Sequence, residues 1–71
     1  MRNIEIKPDG VTVDLTQHEL YMLKNAMNEV VNGIRIRGFK ARMGTSRREA
    51  DILLDQLFNA VQASRASAAT D

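Results

Sequence analysis

The stretch IEIKPDGVTVDLTQHEL, residues 4–20, sets the architecture of the amino-terminal half of this chain. Apolar and polar residues alternate on both sides of Pro8 and Asp9, and period two over short runs is typical of β-strands with one buried face. Proline suits the first central position of a tight turn, and Gly10 tolerates a positive φ. The pattern predicts a β-hairpin whose apolar face is covered by another element.

The same stretch ends with the signal for a helix start. Thr16 and Glu19 have the spacing of a capping box, in which the hydroxyl and the carboxylate each accept a backbone N–H. Apolar residues then recur at helical spacing, at Leu20, Leu23, Met27, Val30 or Val31, and Ile34. Glycine at position 33 favours the end of a helix. We predict a first helix at about residues 17–32.

A second capping box, Ser46 with Glu49, predicts where a second helix starts. Its apolar stripe consists of Ala50, Leu53 or Leu54, Leu57 and Val61. The last residues, ASRASAATD, are small and polar, which favours fraying at a chain end. We therefore predict one domain over residues 1–63 and a frayed or disordered tail over residues 64–71.

The segment between the two helices, IRIRGFKARMG, residues 34–44, has no helical stripe. Its alternation changes phase at Gly38, which is typical of a bulge or bend. We predict an extended segment, with a third strand beside the hairpin as one form of it. The fold class is then α+β, a small single domain of hairpin, helix, extended basic segment and second helix.

The composition limits the classes of site that the protein can contain. The 71 residues include no cysteine and one histidine, so disulfides and thiolate metal sites are excluded and we expect no metal or cofactor. No apolar run approaches the ~18 residues of a membrane span, and the amino terminus does not resemble a signal peptide. We expect a cytoplasmic protein without membrane contact.

Catalytic chemistry has little support in the residue pattern. His18 falls in the first turn of a helix, where the positive end of the dipole disfavours its protonated form. Asp51 and Asp55 share one helix face, but a pair at this spacing is usually solvated. The four glycines match neither a phosphate-binding loop nor a dinucleotide fingerprint. We predict that the protein is not an enzyme.

The clearest anomaly is a basic segment, residues 35–48. Six of the ten Lys and Arg residues lie there, and residues 30–48 contain no acid, although the net charge of the chain is only +1. Such a cluster attracts phosphate backbones or an acidic protein surface, but it is also typical of a solvated edge. The candidates for anion or acidic-partner binding are Arg35, Arg37, Lys40, Arg42, Arg47 and Arg48. The two arginines at the helix start are disfavoured by the dipole and have no explanation in the sequence.

Two further sets of residues are unusual for helix surfaces. A polar row on the first helix comprises Asn25, Asn28, Glu29 and Asn32, and three asparagines lower helix propensity. We interpret the row as a solvent face, as amides that satisfy the backbone of the 34–44 segment, or as a contact for a partner. Met22 and Ile52 lie away from their apolar stripes and are candidates for a shared dimer patch.

The sequence also resembles a set of short uncharacterised bacterial proteins. The matching pattern is N-E-V-x-N-G in a first helix and R-x-G-x-S-R-x-E at the start of a second. Here it is carried by Asn28, Glu29, Val30, Asn32, Gly33, Arg42, Gly44, Ser46, Arg47 and Glu49. In the resembling sequences the middle segment is typically acidic, whereas this chain has RIRGFK. The resemblance implies no function that transfers to this chain.

Taken together, the sequence favours a non-enzymatic module that binds itself or another protein. A homodimer is the specific form that we expect, because small domains without disulfides or metals often gain stability by association. The alternative is a nucleic-acid-binding accessory protein that uses the basic segment.

Overall fold

The computed structural model describes residues 1–69 of the chain. A hairpin of β1 (Arg2–Lys7) and β2 (Gly10–Asp14) is followed by helix α1 (Gln17–Asn28). A π-helical turn (Glu29–Gly33), the short helix α2 (Phe39–Met43) and the long helix α3 (Arg47–Ala69) complete the order. The α+β class and the hairpin-then-helices arrangement are as predicted.

The two strands pair antiparallel around the Pro8-Asp9 turn. Ile6 lies opposite Val11 and Lys7 opposite Gly10, but the register shifts by one residue between Arg2 and Glu5. Asn3 has a φ of 50° in this interval, a left-handed conformation that asparagine tolerates better than most residues. The strand therefore contains a bulge at Asn3.

Helix α1 starts at the predicted capping box. The Glu19 N–H donates to the Thr16 hydroxyl at 3.0 Å, and the Thr16 N–H donates to the Glu19 carboxylate at 2.9 Å. After Asn28 the helix widens into the π turn, where the Ile34 N–H donates to the Glu29 carbonyl at 2.8 Å. The predicted extent is confirmed, and Gly33 is the last residue of the helical run.

The extended form predicted for residues 34–44 is wrong in its second half. Phe39–Met43 form α2, flanked by Gly38 and Gly44 at φ values of 63° and 72°. The described residues contain one sheet of two strands, without a third. Phe39 and Met43 are partly buried while Ala41 is exposed. Because Phe39 and Met43 are four residues apart, they lie on the same face of α2. The same residues also fit period two, which is why the pattern was misleading.

Helix α3 begins after Ser46, whose hydroxyl accepts the Glu49 N–H at 3.1 Å. The Glu49 carboxylate accepts a hydrogen bond from the Thr45 hydroxyl, one residue before the position that the capping-box prediction assigned. The helix continues through Ala69, so residues 64–69 are helical where we predicted a frayed tail. Gln17 donates its amide to the Ser64 carbonyl at 3.2 Å, which fastens this part to α1. Residues 70 and 71 of the predicted tail lie outside the described residues.

Among the described residues, the buried core lies between the helical elements. Val31, Ala50 and Leu54 form one cluster, with Met27 and Phe39 packed against it, and Val61 is buried further along α3. The apolar face of the hairpin is not covered, contrary to the expectation from its pattern. Ile6 remains 82% exposed, and Ile4 and Val11 are also exposed.

The result is an open molecule. Its accessible surface is 5847 Å² for a mass of 8.0 kDa, about 1,400 Å² more than the roughly 4,450 Å² of a compact monomer of this mass. The radius of gyration is 14.0 Å, against about 11 Å for a compact domain of this length. The single chain therefore leaves an unusual amount of surface in water.

Both hydroxyl caps are expected to stabilise the fold measurably. Thr16→Ala and Ser46→Ala each leave a helix-start N–H without its acceptor, which lowers the free energy of unfolding by about 0.5–2 kcal/mol. Urea unfolding followed by circular dichroism measures the loss. Thr16→Ser is the matched control, because serine keeps the acceptor and should stay close to the parent. Unchanged stability in both alanine variants would contradict the assigned helix starts.

Candidate interaction surface

One face of the hairpin is apolar and exposed. Ile6 and Val11 are cross-strand partners, and alternation along each strand places Ile4 and Val13 on the same face. Glu5, opposite Thr12, lies on the other face. The hairpin is thus two-sided, although no helix packs against its apolar side.

The bulge at Asn3 extends this apolar face to the first residue. Because of the register shift, Arg2 pairs with Asp14 and joins the polar face, so Met1 falls on the apolar one. The Asn3 amide donates to the Asp14 carboxylate at 2.9 Å, which fixes the bulge. We name Met1, Ile4, Ile6, Val11 and Val13 the hairpin face.

A groove continues the hairpin face onto α1. It has a volume of about 310 Å³ and is lined by Met1, Leu15, Glu19, Met22, Leu23 and Ala26. Met22 and Leu23 are both exposed, and Met1 belongs to the hairpin face and to the groove alike. Met1 therefore links the apolar surface of the strands to that of the first helix.

Glu19 links the amino terminus of the hairpin to the start of α1. Its carboxylate binds the ammonium group of Met1 and also accepts the Thr16 N–H. These two contacts, the ammonium first, lower the pKa of Glu19 to about 2. The carboxylate therefore stays ionised through the physiological range and continues to hold the base of the hairpin.

Met22 and Ile52, the two residues that we predicted to form a shared dimer patch, are each about half exposed, at 55% and 52%. They lie on different helices, α1 and α3, and their shared patch stays a prediction. Met22 joins the groove, whereas Ile52 is isolated from it.

Asparagines of the polar row on α1 form local hydrogen bonds. The Asn32 amide donates to the Asn28 side-chain oxygen at 3.1 Å. Asn25 hydrogen-bonds to Tyr21, and this contact is the main reason that the pKa of Tyr21 is lowered. Within the described residues, none of these asparagines bonds to the backbone of the 34–44 segment. The amides and Glu29 form a largely self-satisfied solvent face.

Arg47 has a structural task that the sequence did not reveal. Its guanidinium donates to the Val31 carbonyl at 2.5 Å and lies 4.6 Å from the centre of the Phe39 ring. One side chain therefore ties the π turn and α2 to the start of α3. The contacts offset the dipole cost of an arginine at this position, and no local pattern identifies them, because Val31 is sixteen residues away.

The remaining cations of the basic segment face solvent. All five are exposed, and none forms an ion pair with a carboxylate in the part of the chain that the structure describes. They are Arg35, Arg37, Lys40, Arg42 and Arg48. Because residues 39–43 are helical, Arg35, Arg37, Lys40 and Arg42 do not share the strand face that the alternation suggested.

A cluster of cations and aromatic rings joins α1 to α3. The Lys24 ammonium lies 4.6 Å from the centre of the Tyr21 ring and 4.8 Å from that of Phe58, and the Arg65 guanidinium lies 5.1 Å from Tyr21. These contacts use the partly exposed rings within the monomer. The spacing of Tyr21 and Lys24 on one helix face hinted at the first pair, but the contacts between helices had no sequence signal.

Two kinds of site are not found among residues 1–69. No group of three or more histidine or carboxylate side chains there is arranged to hold a metal ion. No helix there has the length and apolar character needed to cross a membrane.

Comparisons with known proteins found no match, whether to a family model, to a curated protein or to a solved structure. The resemblance to short bacterial proteins stays a prediction, and the function must be argued from the surface itself.

The role of Arg47 is tested by comparing it with its neighbour. Arg47→Ala removes a charged hydrogen bond and a ring contact, so the free energy of unfolding should fall by about 1–3 kcal/mol. Arg48→Ala removes an exposed charge alone and should change stability by no more than about 0.5 kcal/mol. Chemical denaturation of both variants measures the difference. Equal effects would show that Arg47 does not hold the three elements together.

Proposed function

We propose that the protein is a non-enzymatic module whose function is to associate with a second copy of itself. The observation that carries the proposal is the excess surface of the single chain, about 1,400 Å² beyond that of a compact monomer. A specific protein interface typically buries about 800 Å² on each partner. An association that buries an area of this size would therefore bring the exposed area toward the value normal for folded proteins.

The location of the exposed apolar residues supports the same function. Met1, Ile4, Ile6 and Val11 of the hairpin face are exposed, and so are Met22 and Leu23 in the groove. These residues are contiguous, and large contiguous apolar patches typically mark binding surfaces. The buried core of the monomer, by contrast, consists of four side chains among the described residues.

The positions of two side chains that catalysis could use, His18 and Glu19, also agree with a binding role. His18 is exposed at the start of α1, and the carboxylate of Glu19 is bound to Met1 and Thr16. We propose the cytoplasm as the compartment, which the absence of cysteine from the chain supports.

The test is the mass of the particle in solution. Sedimentation equilibrium or light scattering across the micromolar range should show twice the chain mass of 8.0 kDa. Val11→Lys should shift the particle toward the monomer, because Val11 is 62% exposed in the single chain and its replacement leaves the core intact. Ile52→Lys is the matched control, since it places the same charge on an exposed site away from the hairpin face.

A monomer at every concentration would overturn self-association. Dissociation by Ile52→Lys but not by Val11→Lys would move the interface to α3 and away from the hairpin face. Circular dichroism of both variants checks that the helices are retained.

A second candidate function is nucleic-acid binding by the basic segment. Five exposed cations without carboxylate partners favour it, and a local field of this kind attracts phosphate backbones. Such binding would be largely independent of base sequence, because phosphate contacts carry no direct sequence information. We place this function second, since it leaves the apolar surface without a role.

Fluorescence anisotropy with duplex and single-stranded DNA and RNA at low salt tests the second function. If it is correct, affinity should fall steeply as salt rises, and the double variant Arg35→Glu with Arg37→Glu should abolish binding. The double variant Arg2→Glu with Lys7→Glu changes the net charge equally outside the segment and should retain most of it. Absence of binding at low salt would eliminate the function.

A further inference from the structure

We propose that two copies join through strand β2, placed antiparallel beside β2 of the second copy, to form a four-stranded sheet in the order β1-β2-β2-β1. The inference rests on the proposed self-association and specifies its geometry. Three features of the hairpin carry it: the contrast between its two edges, the self-complementary sequence of β2 and the uncovered apolar face.

The two edges of the hairpin differ in the features that prevent pairing with a strand of another molecule. The β1 edge carries Arg2, Glu5 and Lys7 and is interrupted by the bulge at Asn3. Charges and bulges are the usual protection of an edge strand against pairing. The β2 edge, GVTVD, has no bulge in its paired register and no charge before Asp14. Within residues 1–69, β2 is therefore the strand that offers another strand a regular edge with no charge before its last residue.

The sequence of β2 is complementary to itself. A two-fold axis at Thr12 sets Val11 of one copy opposite Val13 of the other, and Gly10 opposite Asp14. Cross-strand pairs of β-branched residues stabilise a sheet, and no like charges face each other in this register. A strand from an unrelated protein would need this pattern by coincidence, whereas every copy of the chain carries it.

The same arrangement enlarges the apolar surface and gives the hairpin more neighbours. A two-stranded hairpin is marginal alone, and three or more strands with an apolar face are the usual condition for stability. With the two-fold axis perpendicular to the sheet, both copies present Ile4, Ile6, Val11 and Val13 on one side. The two grooves beside α1 continue this surface at its ends, where Met1 belongs to both.

Cysteine cross-linking tests the edge directly, because the chain has no native cysteine. In the proposed sheet, the two Thr12 residues face each other with Cα atoms about 5 Å apart, within the range that a disulfide spans. Thr12→Cys should therefore form a covalent dimer under mild oxidation. Glu5→Cys is the matched control: it is the cross-strand partner of Thr12 on the same face, but three strand spacings, about 14 Å, would separate the two copies.

A charge placed on the axis gives a second, non-covalent readout. Thr12→Lys sets two like charges against each other at the centre of the interface and should weaken dimerisation at least about tenfold. Glu5→Lys makes the same side chain at the β1 edge and should leave dimerisation close to that of the parent. Thr12 is exposed in the single chain, so its replacement does not disturb the core.

The outcomes separate this inference from the function on which it rests. Cross-linking at residue 12 and not at residue 5, with the matching loss in Thr12→Lys, supports the β2 edge. The reverse pattern would assign the β1 edge and overturn the inference. A dimer that neither pair of variants affects would also overturn it, while self-association would stand. A parent chain that remains monomeric would remove both.

Discussion

The packing of the π turn against the start of α3 is the contact on which the helical part of the molecule depends. Ala50 is 1% exposed and lies in one buried cluster with Val31 and Leu54. The π turn is what aims Val31 at this point, and the Arg47 guanidinium holds the carbonyl of the same residue. Packing and polar contacts therefore converge on one residue, so that a larger side chain at position 50 would disturb both.

This arrangement divides the apolar residues of the chain between two uses. The helices bury a small set of apolar residues in their common core, and the hairpin exposes a separate set to solvent. Glu19 and the amino terminus set the relation between the halves through an exposed ionic contact, which contributes little cohesion compared with buried apolar area. The hairpin is thus positioned by the helices without being stabilised much by them, as befits an element whose packing partner belongs to another molecule.

Local signals predicted the local structure well. The Pro8-Asp9 turn and the Thr16 cap act over three or four residues, so their chemistry is visible in the sequence. The α2 helix escaped prediction because Phe39 and Met43 satisfy period two and one helix face equally. The contact of Arg47 with Val31 had no signal at all, since it depends on the path of the intervening chain.

Because of the bulge, the faces on which Met1 and Arg2 lie depend on the length of strand β1 more than on its composition. A single residue inserted or deleted between Asn3 and Ile4 would exchange the roles of Met1 and Arg2, turning a charge toward the groove and an apolar side chain toward water. Extension of the chain before Met1 would replace its ammonium with an uncharged amide and release the carboxylate of Glu19. An affinity tag before Met1 is therefore a structural change at this end of the molecule.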